Sequence, residues 1–237
     1  MNGENLLRRL WLGAVVVFFA ICVFPVSNRL TRALGLILFV GVWLGLIRLQ
    51  WRRLRVRFAL LGVTCLVALF LVVPSSREPD LGLLRSDYVA GLRRYEGTRY
   101  FWGGESPMGI DCSGLIRRGL VDAVFLRGFR TLDPALVRHA LRLWWHDTTA
   151  SALADGHGAL TTPVLRVASL NQLDHSKVRP GDLAVTVSGI HILAYLGNHR
   201  WIEADPLVGR VITLTAPADE SWLTTPMNIV RWSILAD

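Results

Sequence analysis

Cys112 is the cysteine whose neighbours indicate chemistry. It follows Asp111 and precedes Ser113, Gly114 and an apolar run of helical periodicity, so it is predicted to begin a helix. A helix N-terminus stabilises an anion through its free N–H groups and its dipole, and the thiolate is the reactive form of cysteine. The spacing therefore favours a nucleophilic thiol, although a cysteine buried only for packing would fit the same position.

A cysteine nucleophile needs a base, and the base needs an orienting group. His191 begins the strand pattern HILAYLG, and the pattern RWIEAD follows the turn residues 197–199. If the hairpin centres on Gly197, His191 lies directly opposite Glu203 on one face of the sheet. A one-residue shift would move Glu203 to the other face, leaving Asp205 as the alternative, and Glu203 would then be a solvated strand charge.

Three long apolar runs occupy the first third of the chain and predict transmembrane helices near residues 10–26, 30–49 and 58–74. A cleaved signal peptide is disfavoured, because Pro25 and Arg29 follow the first run where small residues would mark a cleavage site. We therefore expect residues 1–76 to form an all-α transmembrane region of about three helices. A polar linker at residues 77–82 follows it.

The charge distribution indicates membrane topology. Of the net charge of +8, residues 1–80 carry +7 and the rest of the chain carries +1. No basic stripe with interleaved aromatic residues is present beyond residue 80, so no nucleic-acid partner is expected. With three spans, seven arginines lie on the side of the N-terminus and three on the other side. This bias predicts a cytoplasmic N-terminus, with residues 83–237 on the outer side.

The remainder of the chain predicts an α+β domain at residues 83–237. Helical patterns come first and short strand patterns come later, separated by glycine, asparagine and proline. This order indicates helices packed on an antiparallel sheet. Residues 148–178 have no readable pattern. The three cysteines are too widely spaced for a disulfide framework or a metal site, and neither a metal nor another cofactor is expected.

Four motifs follow one another within residues 83–215. They are Tyr100–x–Trp102–Gly103–Gly104, Asp111–Cys112–Ser113–Gly114–Leu115, Pro180–Gly181–Asp182–Leu183 and His191–x–x–x–Tyr195–x–Gly197. Together and in this order they resemble the NlpC family of papain-like cell-wall cysteine peptidases. The resemblance implies a papain-like NlpC-type fold for the C-terminal domain.

The resemblance also implies a role for each matching residue. Cys112 matches the nucleophile, His191 the general base and Glu203 the polar residue that orients the base. Glu203 departs from the family pattern, which more usually has histidine, asparagine or glutamine there. The resemblance places four further residues at the substrate site, namely Tyr100, Trp102, Asp111 and Ser113.

We therefore expect a cysteine endopeptidase or amidase that hydrolyses the stem peptides of peptidoglycan. Combined with the predicted topology, the resemblance implies a bacterial inner-membrane protein whose catalytic domain faces the periplasm. Two alternatives stay open: a thiol acyltransferase or lipid-directed hydrolase on the same fold, and a non-catalytic membrane scaffold. The peptidoglycan and the membrane are the expected partners, and the sequence does not predict any protein partner.

Overall fold

The computed structural model describes residues 3–236. Its first three helices are α1 (Gly3–Val23), α2 (Arg29–Leu49) and α3 (Leu54–Val72). Each is long and apolar enough to cross a membrane, with a mean hydropathy of 2.1 over its most apolar part. The three apolar helices predicted from the sequence are confirmed, although the first and third begin and end a few residues earlier than the predicted spans.

Helices α1 and α2 form a hairpin joined by residues 24–28, which we call the hairpin loop. Asn28 caps α2, because its side chain accepts a hydrogen bond from the Thr31 backbone N–H at 3.0 Å. The Thr31 hydroxyl in turn accepts one from the Asn28 backbone N–H at 2.9 Å. The hairpin loop therefore has a defined shape where the chain leaves one apolar helix and enters the next.

The C-terminal part of the chain contains five more helices: α4 (Leu81–Arg93), α5 (Cys112–Arg130), α6 (Pro134–Trp145), α7 (Ala150–Ala154) and α8 (Ser221–Thr224). Its strands are β1 (Glu105–Ser106), β2 (Gly109–Ile110), β3 (Thr161–Val167), β4 (Leu183–Thr186), β5 (Ile192–Gly197), β6 (Arg200–Asp205), β7 (Arg210–Thr215) and β8 (Met227–Trp232). Helix α6 is capped by Asp133, whose side chain accepts from the Ala135 N–H at 2.9 Å, and Pro134 begins the helix.

Six strands form one antiparallel sheet in the order β3-β8-β4-β5-β6-β7. Helices α4 and α5 pack against each other and cover one face of this sheet, with a core that includes Leu84, Leu115 and Ile202. A second core on the other face includes Trp201 and Met227. The α+β class is therefore confirmed. The segment without a readable pattern contains β3, which pairs with β8 at one edge.

The register predicted for the hairpin of β5 and β6 is wrong by two residues. Ala194 pairs with Ile202 and Tyr195 with Trp201, so the strands do not centre on Gly197. The tight turn is Asn198–His199, where both residues have positive φ (52° and 60°), as a two-residue hairpin turn requires. A two-residue shift keeps every side chain on its predicted face, because the side-chain period of a strand is two.

Candidate active site

Helix α5 begins at Cys112 because Asp111 caps it. The Asp111 carboxylate accepts a hydrogen bond from the Gly114 N–H at 2.6 Å and from the Ser113 hydroxyl at 3.1 Å. It also accepts one from the Gly103 N–H at 2.8 Å, which ties residues 101–104, here called the glycine loop, to the start of the helix. One carboxylate therefore fixes both the helix start and the loop before it.

The glycine loop lies too close to α5 for a larger residue at position 114. A Cβ atom added to Gly114 would lie 2.2 Å from the carbonyl oxygen of Gly104. Gly114 is thus required by a backbone contact, and this contact brings the loop over the first turn of α5.

Cys112 is 9% exposed at the first position of α5. Burial and the nearby Asp111 carboxylate raise the thiol pKa to about 12, whereas hydrogen bonds from the amides of Ser113, Cys112 and Ile192 act in the opposite direction. The helix start favours the thiolate, as the sequence indicated, but burial outweighs it. In the absence of substrate the sulfur is therefore a protonated thiol, and it needs a base to become a nucleophile.

His191 and Glu203 form a buried pair, and Ile192, the residue after His191, offers its backbone N–H to the Cys112 sulfur. His191 Nε2 contacts Glu203 Oε2, and the two side chains are 2% and 0% exposed. In the observed register they are diagonal rather than direct neighbours on the sheet, which still allows long side chains to touch. Burial raises the Glu203 pKa and the contact with His191 opposes this. Glu203 is therefore not the solvated strand charge that its sequence position also allowed.

Thr186 holds the backbone of His191, and Trp222 holds its ring. The Thr186 hydroxyl accepts from the His191 backbone N–H at 3.1 Å, and the Thr186 N–H donates to the His191 carbonyl at 3.0 Å. The ring stacks on Trp222 of α8, with centroids 4.1 Å apart and an interplanar angle of 19°. The sequence analysis missed Trp222, because no local pattern links a tryptophan to a histidine 31 residues earlier.

The other predicted site residues occupy different depths. Tyr100 is half-buried, and burial together with the nearby Cys112 raises its hydroxyl pKa to about 12. Ser113 and Asp111 line a polar cleft of about 260 Å³ that also includes Gly103. Trp102 is 81% exposed and lies on the glycine loop. Asp205, the alternative carboxylate, instead accepts from the backbone N–H groups of the turn after β6.

The hairpin loop between the first two apolar helices pairs directly with the glycine loop and the residue after it. Val26 and Gly104 form an antiparallel bridge. The Ser27 N–H donates to the Gly103 carbonyl at 3.1 Å, and the Glu105 N–H donates to the Pro25 carbonyl at 3.0 Å. From the sequence, the apolar helices were predicted only to anchor the protein. In the structure, the loop between them also packs against the segment that precedes Cys112.

A buried ion cluster reinforces this contact. Arg32 of α2 lies 2.5 Å from Glu105 and 2.9 Å from Asp147, and Arg117 of α5 lies 3.0 Å from Glu105 and 3.1 Å from Asp147. The Arg32 and Glu105 side chains are 2% and 5% exposed. Burial raises the Glu105 pKa, and the two arginines oppose that shift. The signal that could have indicated this cluster is an arginine inside a predicted apolar span, which commonly has a functional partner.

The chain resembles several solved structures in fold. NlpC1 from Trichomonas vaginalis aligns with 18% identity and a TM-score of 0.40, over 62% of this chain and 43% of that one. The peptidoglycan hydrolase RipB from Mycobacterium tuberculosis aligns with 17% identity and a TM-score of 0.38, over 66% and 67%. An N-acetylmuramoyl-L-alanine amidase from Bacteroides uniformis aligns with 10% identity and a TM-score of 0.41, over 63% and 98%. The chain thus spans less than half the length of the first of these proteins.

A search of curated proteins gave no significant match. A sequence model of the NlpC/P60 family, in contrast, matches residues 97–231, which is more than half of the chain. The matched region contains all four motifs, and it includes Cys112, His191 and Glu203. The chain therefore belongs to the NlpC/P60 family, as its motifs predicted.

Proposed function

We propose that the protein is a membrane-anchored cysteine peptidase or amidase that hydrolyses peptide bonds in the stem peptides of peptidoglycan. The observation that carries this proposal is the buried His191–Glu203 pair, because Ile192, the residue directly after His191, offers its backbone N–H to the Cys112 sulfur. A thiol, an imidazole and a carboxylate in this arrangement are the components of acyl transfer through a covalent thioester.

In the proposed mechanism His191 acts as the general base. Its Nε2 atom is engaged by Glu203, which leaves Nδ1 for the thiol proton. Removal of that proton generates the thiolate as the substrate carbonyl arrives, since the thiol pKa of about 12 keeps the sulfur protonated beforehand. The sulfur attacks the carbonyl carbon, and the free N–H groups at the start of α5 stabilise the oxyanion.

The tetrahedral intermediate then collapses. The C–N bond breaks, His191 gives its proton to the leaving amine, and the acyl group stays on Cys112 as a thioester. Water, deprotonated by the same imidazole, attacks the thioester and releases the carboxylic acid and the thiol. Glu203 is a positioning residue in this scheme, because it holds the imidazole through Nε2 and stabilises the imidazolium.

The polar cleft is the proposed peptide-binding site. It lies beside the start of α5, reaches the two residues that flank Cys112, and is lined by Asp111 and Ser113. Trp102 projects from the glycine loop into solvent, where an exposed aromatic ring can cover a bound peptide or sugar. Tyr100, beside the thiol, is proposed to contact the reacting carbonyl.

The proposed location is the bacterial inner membrane. The region that matches the NlpC/P60 family, residues 97–231, is here called the family domain and is proposed to lie on the periplasmic side. Three apolar helices support the anchoring, and the excess of arginines on the side of the N-terminus supports the orientation. The carbonyls of Leu71 and Val73, at the end of α3, accept hydrogen bonds from Arg138 of α6 at 2.9 and 2.8 Å. The ends of α1 and α3 therefore lie on the same side, next to the proposed hydrolase.

The test is a digest with the full chain in detergent. Purified peptidoglycan is incubated with the wild type, with Cys112→Ala, and with a variant in which Cys22 and Cys65 are serine, and the products are identified by mass spectrometry. We expect new peptide fragments from the wild type and the double-serine variant but none from Cys112→Ala. Equal product formation by Cys112→Ala would refute the assigned nucleophile, and acyl transfer to an acceptor other than water would identify a transferase.

A further inference from the structure

The proposed active site lies at the ends of the first two apolar helices. Helix α1 ends at Val23 and α2 begins at Arg29, and the loop between them is bridged to the glycine loop through Val26 and Gly104. If α1 and α2 cross the membrane, the glycine loop therefore lies at the membrane surface rather than at a distance from it.

An apolar surface continues from the end of α1 onto the family domain. Phe101 and Met108 are 44% and 62% exposed, and they line a shallow groove together with Val23 and Phe24 at the end of α1. Exposed apolar surface that is continuous with a membrane span is expected to contact lipid rather than water. The mouth of the site consequently faces the outer surface of the bilayer.

A cavity of about 340 Å³, here called the membrane cavity, lies between the apolar hairpin and the domain. Its lower walls are apolar side chains of α1 and α2, namely Phe18, Ile21, Leu36 and Phe39. Its upper end is formed by Glu105, Ser106 and Arg118. The Arg118 guanidinium pairs with Asp122 at 2.9 Å, but its Nε atom is buried and has no hydrogen-bond partner among the described residues, so one guanidinium N–H donor is available at the polar end of the cavity.

The membrane cavity adjoins the polar cleft. Ser27 and Glu105 line both, and the cleft continues from them to Asp111 and Ser113 at the proposed nucleophile. An apolar cavity beside the hairpin helices, a guanidinium N–H donor at its polar end and a polar cleft beyond it match an amphiphile with a hydrocarbon chain, an anionic link and a polar head.

We propose that the substrate is a stem peptide carried on a membrane lipid, with its apolar chain in the membrane cavity, its anionic link near Arg118 and its peptide in the polar cleft. This inference rests on the proposed hydrolase function and specifies the substrate class of the same site. The enzyme would then cut peptides before they join the polymeric cell wall.

The test compares two substrates with the same stem peptide, one joined through a phosphate to a long-chain lipid in vesicles and one free in water. The full chain is reconstituted in the same vesicles, and kcat/KM is measured for each substrate by mass spectrometry. We expect the lipid-linked peptide to be preferred by about tenfold or more, because anchoring in the same membrane raises its effective concentration and the cavity then holds it in register with the cleft.

A matched pair of variants separates binding in the cavity from simple enrichment of both partners in the membrane. Gly35 lines the membrane cavity, and a Cβ there would lie 3.8 Å from the Ile21 side chain, an ordinary contact, so Gly35→Leu extends into the cavity. Gly41 is exposed on the same helix with nothing within 4 Å of an added Cβ, so Gly41→Leu is the control. Gly35→Met is the second variant if Gly35→Leu does not fold.

Each outcome decides the inference. A preference for the lipid-linked peptide that Gly35→Leu reduces and Gly41→Leu retains would support it. Equal rates for the two substrates, or a preference that Gly35→Leu leaves unchanged, would overturn it while the hydrolase function stands. Cleavage of neither substrate by the wild type would refute the hydrolase function, and this inference with it.

Discussion

Replacing Arg32 by methionine is expected to release the hairpin loop from the glycine loop. Arg32 is the residue of α2 that pairs with Glu105, at 2.5 Å and almost fully buried. Removing one partner of a buried ion pair typically costs about 3–5 kcal/mol, because the other charge stays buried without compensation. Arg117 remains 3.0 Å from the other Glu105 oxygen, so we expect the lower end, about 3 kcal/mol.

A loss of about 3 kcal/mol corresponds to a factor of about 100 in the equilibrium between the docked and the released hairpin loop. Hydrogen exchange in the full chain in detergent measures this equilibrium at the Ser27 and Glu105 amides, which donate across the contact. Exchange at these amides should accelerate by up to about that factor. Hydrolysis should slow, because the loop over the first turn of α5 is no longer held.

The matched control is Arg29→Met, which removes an exposed arginine from the first turn of the same helix. The double variant Arg32→Met with Glu105→Gln tests the electrostatic reasoning. Without Arg32, Glu105 and Asp147 face Arg117 alone, and Glu105→Gln restores one charge of each sign. The double variant should therefore recover part of the lost docking and activity. Wild-type exchange in Arg32→Met, or simple addition of the two effects, would refute this reasoning.

Three further predictions concern the residues around the thiol. With the two membrane cysteines replaced by serine, the alkylation rate of Cys112 should keep rising above about pH 9, because burial raises the thiol pKa to about 12; a plateau near neutral pH would contradict this. Glu203→Gln should lower kcat by about 10²–10⁴-fold with little change in KM, because Glu203 orients His191 without touching the substrate. A kcat close to that of the wild type would show that Glu203 does not take part in catalysis. Gly114→Ala should abolish hydrolysis and destabilise the fold by about 1–3 kcal/mol, because the new Cβ would lie 2.2 Å from the Gly104 carbonyl oxygen. Thermal unfolding measures this loss, and an unchanged melting temperature would contradict the close contact.

The sequence determined the features that depend on residues close together in the chain. The start of α5 at Cys112 followed from the apolar period that begins there, and the aspartate cap that the structure adds acts over only three residues. The three apolar helices followed from hydrophobic runs, since length and composition alone decide whether a helix can span a bilayer. Membership of the NlpC/P60 family followed from the order of four short motifs.

Only the tertiary structure decided which distant side chains meet. The hairpin register was predicted two residues out, because it depends on which two residues form the turn, yet His191 and Glu203 still met since they remained on one face. The pairing of Arg32 with Glu105 spans 73 residues, and the stack on Trp222 joins a strand to a separate short helix. Such contacts depend on burial and charge compensation between elements that packing brings together, and no local sequence pattern encodes them.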